Sequence, residues 1–214
     1  TYAAMAVGLA VLVACAGAVA PSTQPITATP MVGAAPAGAR PAGFLTAHTR
    51  PGAVSPIPVA PKEGDARNPL DWEIFRKTRA LEGGDRWKLA QADDSYRPEY
   101  LLSAFSCAAG VSLTPANSPA LASILGRTTV DAGLAAEAAK QLYKRTRPFM
   151  HNEGNICIAR SAGLDASFDY PSGHASLGWM TGLVIAQLAP DHASSILARG
   201  RAYGESRVVC GLHN

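Results

Sequence analysis

Three short stretches of the sequence place cations, small residues and histidines where they could grip and attack an oxyanion. The first is KQLYKRTRP, in which Lys140 and Arg147 stand seven residues apart. Two helical turns of about 3.6 residues bring them to nearly the same face. Pro148 disfavours helical geometry at Arg147, so the guanidinium is expected at the helix end, where the chain opens. Two cations aimed one way can hold an anion, Arg through a fork of N–H donors and Lys as a point charge. The second stretch is YPSGHASLGW. Ser172 fits a helix N-cap and Gly173 lets the backbone approach a bound group. The unpaired N–H groups and positive dipole end of that helix favour an anion, and His174 can give or take a proton there. The third is ESRVVCGLHN, where Ser206 and Arg207 precede His213 and Gly211 is a helix terminator that turns His213 back. Each has a plainer reading taken singly: a solvated basic face, a structural cap beside an incidental His, and a surface His near a chain end.

The elements that must position these residues read as helices. PLDWEIFRKTRALEG stops at Gly83-Gly84, with Asn68 expected to cap it and Pro69 to take its first position. DRWKLAQADDSY restarts at Asp85, and SPALASILG opens with Ser118 and Pro119. TVDAGLAAEAAKQLYKRTR carries Leu134, Ala138, Ala139, Leu142 and Tyr143 at the threes and fours of one helical face. No run of alternating β-branched residues is present, so the fold class is all-α, a helical bundle. At 214 residues the chain holds one well-cored domain. Its charged share of 16% and apolar share of 48% are globular values, and a net charge of +3 gives no reason to expect nucleic acid as a partner.

Ahead of the domain, residues 1–20 (TYAAMAVGLAVLVACAGAVA) form an uncharged apolar run that reads as a secretory leader without its basic n-region. A transmembrane anchor is the rival, since on the order of 18 apolar residues can span a bilayer. Cys15, in LVAC, fits a lipoprotein cleavage box, which would lipidate Cys15 and tether the protein to a membrane; ordinary cleavage after AGA fits equally well. Residues 21–66 contain nine prolines between Pro21 and Pro61 and are expected to be a disordered or extended tether. Residues 67–214 are the domain. Export to an oxidising compartment favours one disulfide and one buried free thiol among Cys107, Cys157 and Cys210. No zinc-like cluster of Cys and His is apparent.

Together the order Lys-x6-Arg-Pro, Pro-Ser-Gly-His, Ser-Arg-x5-His resembles the signature of the type 2 phosphatidic acid phosphatase superfamily. That group includes the bacterial class A non-specific acid phosphatases and the vanadium haloperoxidases. RKTRALEGGDRWKLAQADD, AKQLYKRTRPF, YPSGHASLGW and GESRVVCGLH resemble the class A acid phosphatase branch, over about Asn68 to Asn214. The resemblance implies a bundle of the acid phosphatase and haloperoxidase type. It also implies a periplasmic, cofactor-free and metal-independent hydrolase of small phosphate monoesters. By similarity, Lys140, Arg147 and Arg207 would hold the phosphoryl oxygens with Ser172 and Gly173. His213 would be the nucleophile that forms a phosphohistidine, and His174 the general acid and base. A homo-oligomer is left open.

The family pattern continues with Asp four places after the nucleophile, followed by a closing helix. The sequence stops at Asn214, before either, so His213 is expected to lack its orienting partner and the chain as it stands is left open to being poorly folded and inactive. Among the cysteines the preferred pairing is Cys157 with Cys210, which would tie the first motif to the nucleophile's arm; Cys107, in LLSAFSCAAG, is read as core. Two rivals stand beside the acid phosphatase. One is a lipid phosphate phosphatase, although WMTGLVIAQLAP is too short to cross a bilayer. The other is a non-catalytic, phosphate-binding surface lipoprotein.

Overall fold

The structure is a computed structural model that describes residues 41–46, 49 and 57–214. The leader, Cys15 and most of the stretch read as a tether lie outside the described residues. Seven α-helices follow in order: α1 (Arg67–Thr78), α2 (Asp85–Ala92), α3 (Pro98–Ser106), α4 (Pro119–Tyr143), α5 (Ala162–Asp165), α6 (Gly173–Leu188) and α7 (Ala193–Val209). Short 3-10 turns lie at Arg79–Leu81, Pro148–Met150 and Pro190–His192. Among the described residues there is no strand, and no helix is long and apolar enough to cross a membrane.

The α6–α7 hairpin is the device that builds the site. Its helices run antiparallel and meet through small residues. A Cβ at Gly178 would lie 2.5 Å from the Tyr203 ring, and one at Gly200 would lie 2.7 Å from the Gly178 carbonyl. Farther along, a Cβ at Gly204 would press on Ala175 at 3.1 Å. This close approach sets the first turn of α6, with His174, against the last turns of α7, with Arg207. Helix α4 packs on α6 and delivers Lys140 to the same end, where Gly173 faces Ala136. Two cores support the arrangement. Leu101, Leu102, Phe105, Leu125, Leu177, Ile185, Ile196 and Tyr203 fill the space between α3, α4, α6 and α7. Phe75, Trp87, Ala90, Phe149, Val209 and Leu212 fill that beneath α1, α2 and the final turn. Each of the leucine, isoleucine, valine and phenylalanine side chains among them contributes roughly 1.5–3 kcal/mol by leaving water.

Several expectations change. SPALASILG and TVDAGLAAEAAKQLY are one helix of 25 residues, because Gly126 stays helical and Thr128 and Thr129 return their hydroxyls to the carbonyls of Ile124 and Leu125. Asn68 does not cap α1: Ala66 holds that place without a side-chain bond, and Asn68 Oδ1 instead accepts from Arg145. Pro69 is therefore third in the helix, still within the first turn, whose N–H groups have no intrahelical acceptor. Cys107 is neither buried nor free; it is exposed and disulfide-bonded.

The described parts of the proline-rich stretch lie on the bundle. Asp131 on α4 accepts the backbone N–H groups of Phe44 (2.7 Å) and Leu45 (3.2 Å), and Arg127 donates to the carbonyls of Ala42 and Gly43 while covering the Phe44 ring. Gly43 is required there, since a Cβ would strike the Asp131 carboxylate. Farther on, Tyr143 and Tyr170 donate to the carbonyls of Ile57 and Pro58.

Candidate active site

Three helix ends supply the charged groups. Helix α4 ends where Lys144 takes the left-handed conformation (φ 47°) and returns its N–H to Lys140 O. The chain then opens, and Arg147 is extended before Pro148, as the proline demands. Ser172 caps α6 by accepting from Ala175 N at 3.2 Å, so the first turn of that helix opens beside Lys140 and Arg207. Helix α7 stops at Gly211 (φ 78°), where Leu212 and His213 turn their N–H groups back to Arg207 O. Arg79 fixes that turn by donating to Val209 O and Asn155 O. The Cys157–Cys210 disulfide ties it to the segment after the first motif. Closing that 53-residue separation stabilises the fold by about 4 kcal/mol on a chain-entropy reading.

His213 is 5% exposed and held at both nitrogens. Nδ1 donates to the carbonyl of Asp169 and stands 3.1 Å from its carboxylate. Nε2 faces Arg147 Nη1 at 3.0 Å, and a guanidinium can only donate, so Nε2 carries the lone pair. Within the described residues Asp169 is the group that orients the His213 ring, a role that the sequence alone assigned to no residue present. That aspartate is 2% exposed and is in turn paired with Arg145, which reaches Asp71 at 2.7 Å. Burial, reinforced by Arg147 and Lys140, pulls the proton affinity of His213 down to a pKa of about 4 against the pull of Asp169, so the ring is neutral at pH 7.

His174 lies across the site. Its Nε2 donates to the Asp94 carbonyl at 2.9 Å, and its ring stacks on Tyr203 with Tyr96 at its edge. Burial and the nearby Arg207 lower its pKa to about 4. With these neighbours it is neutral at pH 7, and the proton expected on it requires an added anion.

The cations crowd one another. Burial and the charge of Arg147 bring Lys140 down to about 8; burial first, then Arg207, brings Arg147 down to about 10. Arg147 is braced by Ser167 Oγ (2.9 Å) and Leu212 O (2.7 Å). Arg207, only 3% exposed, pairs through Nη2 with Asp94 at 2.8 Å, while its Nε and Nη1 are buried with no hydrogen-bond partner among the described residues. Orphaned guanidinium donors among mutually repelling cations are costly unless an anion arrives. Ser206 does not enter the site: its hydroxyl donates to Asp93, which also takes Arg199 and Tyr100.

The structure thus gathers Lys140, Arg147, Ser172, Gly173, His174, Arg207 and His213 at one end of the bundle. Sequence reasoning missed Asp94, Asp169 and Arg145. Adjacent acids in QADD and a third basic residue in KRTRP were visible, but nothing local linked them, or Asp169, to the motif residues.

Comparison with known proteins gives the following similarities. A family described as PAP2 superfamily matches residues 120–214, nearly all of α4 to the last residue. An acid phosphatase of Zymomonas mobilis subsp. mobilis is 38% identical over 154 residues, covering 72% of this chain and 58% of that protein. Non-specific acid phosphatases of Providencia stuartii and Salmonella typhimurium are each 33% identical over 159 residues, covering 73% of this chain and 64% of theirs. The chain spans about three-fifths of the length of these relatives. With the three motifs converged on one buried cationic end of an all-helical bundle, the chain carries a PAP2 superfamily match over residues 120–214 and is similar to non-specific acid phosphatases.

Proposed function

We propose that this protein is an acid phosphatase that hydrolyses small phosphate monoesters through a phosphohistidine. The observation that carries the reading is the pairing of unpartnered Nε and Nη1 atoms on buried Arg207 with a neutral His213 whose Nε2 bears a lone pair. A phosphoryl group entering between Lys140, Arg147 and Arg207 satisfies those donors, with Ser172 and the Gly173 end of α6 completing the cradle. Arg147 exchanges its bond to Nε2 for one to a phosphoryl oxygen. The Nε2 lone pair then forms the N–P bond as the ester P–O bond breaks. His174, protonated once the dianion offsets Arg207, supplies the proton that the departing alkoxide needs. With Nε2–H fixed on the Asp94 carbonyl, Nδ1 is the nitrogen that takes up the exchangeable proton. In the second half, water attacks phosphorus, its proton passes to His174, and the N–P electron pair returns to Nε2.

No metal is required in this reading, because three side-chain cations neutralise the charge that phosphoryl transfer develops. Export to the periplasm, through residues 1–20 as a signal peptide, with or without a lipid on Cys15, is part of the same proposal. The test is hydrolysis of p-nitrophenyl phosphate by the full-length protein at mildly acidic pH, with and without EDTA and vanadate. The expected result is turnover that EDTA spares and vanadate, a mimic of five-coordinate phosphorus, inhibits. No turnover would favour a phosphate-binding module, and loss of turnover in EDTA would contradict metal independence.

A further inference from the structure

Asp94 sits just beyond the end of α2 and belongs to none of the three motifs, yet it touches two of them. Its backbone carbonyl accepts from His174 Nε2 at 2.9 Å, and its carboxylate holds Arg207 Nη2 at 2.8 Å. The same carboxylate lies 4.0 Å from His174 Nε2, and its side chain is 38% exposed at the mouth of the site. Neighbouring Asp93 is wholly buried under Arg199, Tyr100 and Ser206, which pins the short segment from which Asp94 projects.

Resting on the phosphatase reading, we propose that Asp94 is a positioning residue that couples the phosphate-binding Arg207 to the proton-carrying His174 and limits how tightly the site holds phosphate. Two consequences follow from charge and geometry. A carboxylate on one flank of the guanidinium keeps Arg207 aimed while leaving Nε and Nη1 for the ligand. Its negative charge also repels the incoming phosphoryl group across that guanidinium, so substrate and product phosphate are both bound less firmly than three buried cations would bind them alone. Weak product binding favours release after each turnover.

The groups facing His174 are Asp94, Arg207, Lys140, Tyr96 and Tyr203. Asp94 is the one among them whose charge favours the imidazolium, opposing the two cations. Removing that charge therefore lowers the pH above which His174 loses its proton.

The experiment compares wild type, Asp94→Asn and Asp94→Glu. Inorganic phosphate and vanadate affinity are measured by calorimetry, and KM, kcat and the pH profile with p-nitrophenyl phosphate. Asn keeps an acceptor for Nη2 and drops the charge. Phosphate should bind roughly three- to tenfold more tightly to it, the range for one half-exposed charge near the ligand. KM should fall with it, and the alkaline limb of the kcat profile should move to lower pH. Glu should restore the wild-type limb. If the Asn variant does not fold, Asp94→Ser is read in the same way. Unchanged or weaker phosphate binding in a folded variant, or an unmoved limb, overturns the role of Asp94 while leaving the phosphatase reading standing. A wild type that neither binds phosphate nor turns over the ester overturns both.

Discussion

The two histidines of the site reach the same proton affinity by different constructions. Each is drawn from 6.5 to about 4 chiefly by burial. His213 is clamped at both nitrogens, by Asp169 on one side and Arg147 on the other, and rests on a chain of charges running through Arg145 to Asp71. Among the described residues His174 is fixed at one nitrogen, and its side chain is 22% exposed. A nucleophile needs a lone pair with a fixed direction, and rigid clamping provides it. An acid that later serves as a base needs a proton that can come and go, and an open edge with adjustable charges provides that. The difference separates positioning from proton traffic.

The comparison breaks most sharply at the nucleophile. His213→Ala should lower kcat by about 10⁴-fold or more for every substrate, since no bond to phosphorus can form. His174→Asn should behave differently. In kcat/KM, which reports formation of the phosphohistidine and not its later hydrolysis, an alkyl phosphate should lose roughly 10³-fold, whereas p-nitrophenyl phosphate, whose leaving group departs as a stable anion, should lose far less. Equal losses on both substrates would mean that His174 is not the acid. On the clamped side, Cys157→Ser should cost about 4 kcal/mol of unfolding free energy in denaturant titrations. Arg207→Ala should reduce kcat/KM by roughly 10²-fold, as expected for one lost oxyanion donor.

A smaller effect is on stability against pH. Both imidazoles have folded-state pKa values below that of the unfolded chain, so between about 6.5 and 4 the unfolded state binds more protons. Their contribution to stability is whole above about pH 6.5 and is lost as the pH falls towards 4. Urea titrations at pH 7 and 4.5 should show the drop, and His213→Asn should reduce it.

What the sequence discloses and what it withholds divide along the same line. Helices were legible because apolar residues recur by threes and fours and because Ser172, Pro148 and Gly211 mark ends with chemistry of their own, but the face was misread in α4: Leu134, Ala138 and Leu142 are exposed, and Leu121, Leu125, Ala136 and Ala139 are the buried apolar residues. The motif cations and histidines were legible because their spacing within each helix end brings them round to one side. Asp94 and Asp169 were not, since their partners lie 113 and 44 residues away and no local rule links them. The single long α4 was hidden by Gly126, a helix-weakening residue whose setting beside Pro98 and Pro41 is a tertiary fact. Cys107 read as core from its apolar neighbours, yet those neighbours turn inward on α3 and leave it beyond the helix end. The proline count of residues 21–66 carried no hint that Asp131 and Arg127 would hold residues 42–45.

The central claim is that phosphorus bonds to one ring nitrogen of one histidine. Acid-labile phosphate can be trapped by rapid mixing with p-nitrophenyl phosphate, whose leaving group needs no proton, and alkaline quench, then located by peptide mass spectrometry. The account predicts a single phosphorylated residue, His213, formed within one turnover and undiminished in His174→Asn, where its hydrolysis is slowed. Phosphate carried by another side chain, or steady turnover with no covalent species while His213→Ala remains active, would contradict it.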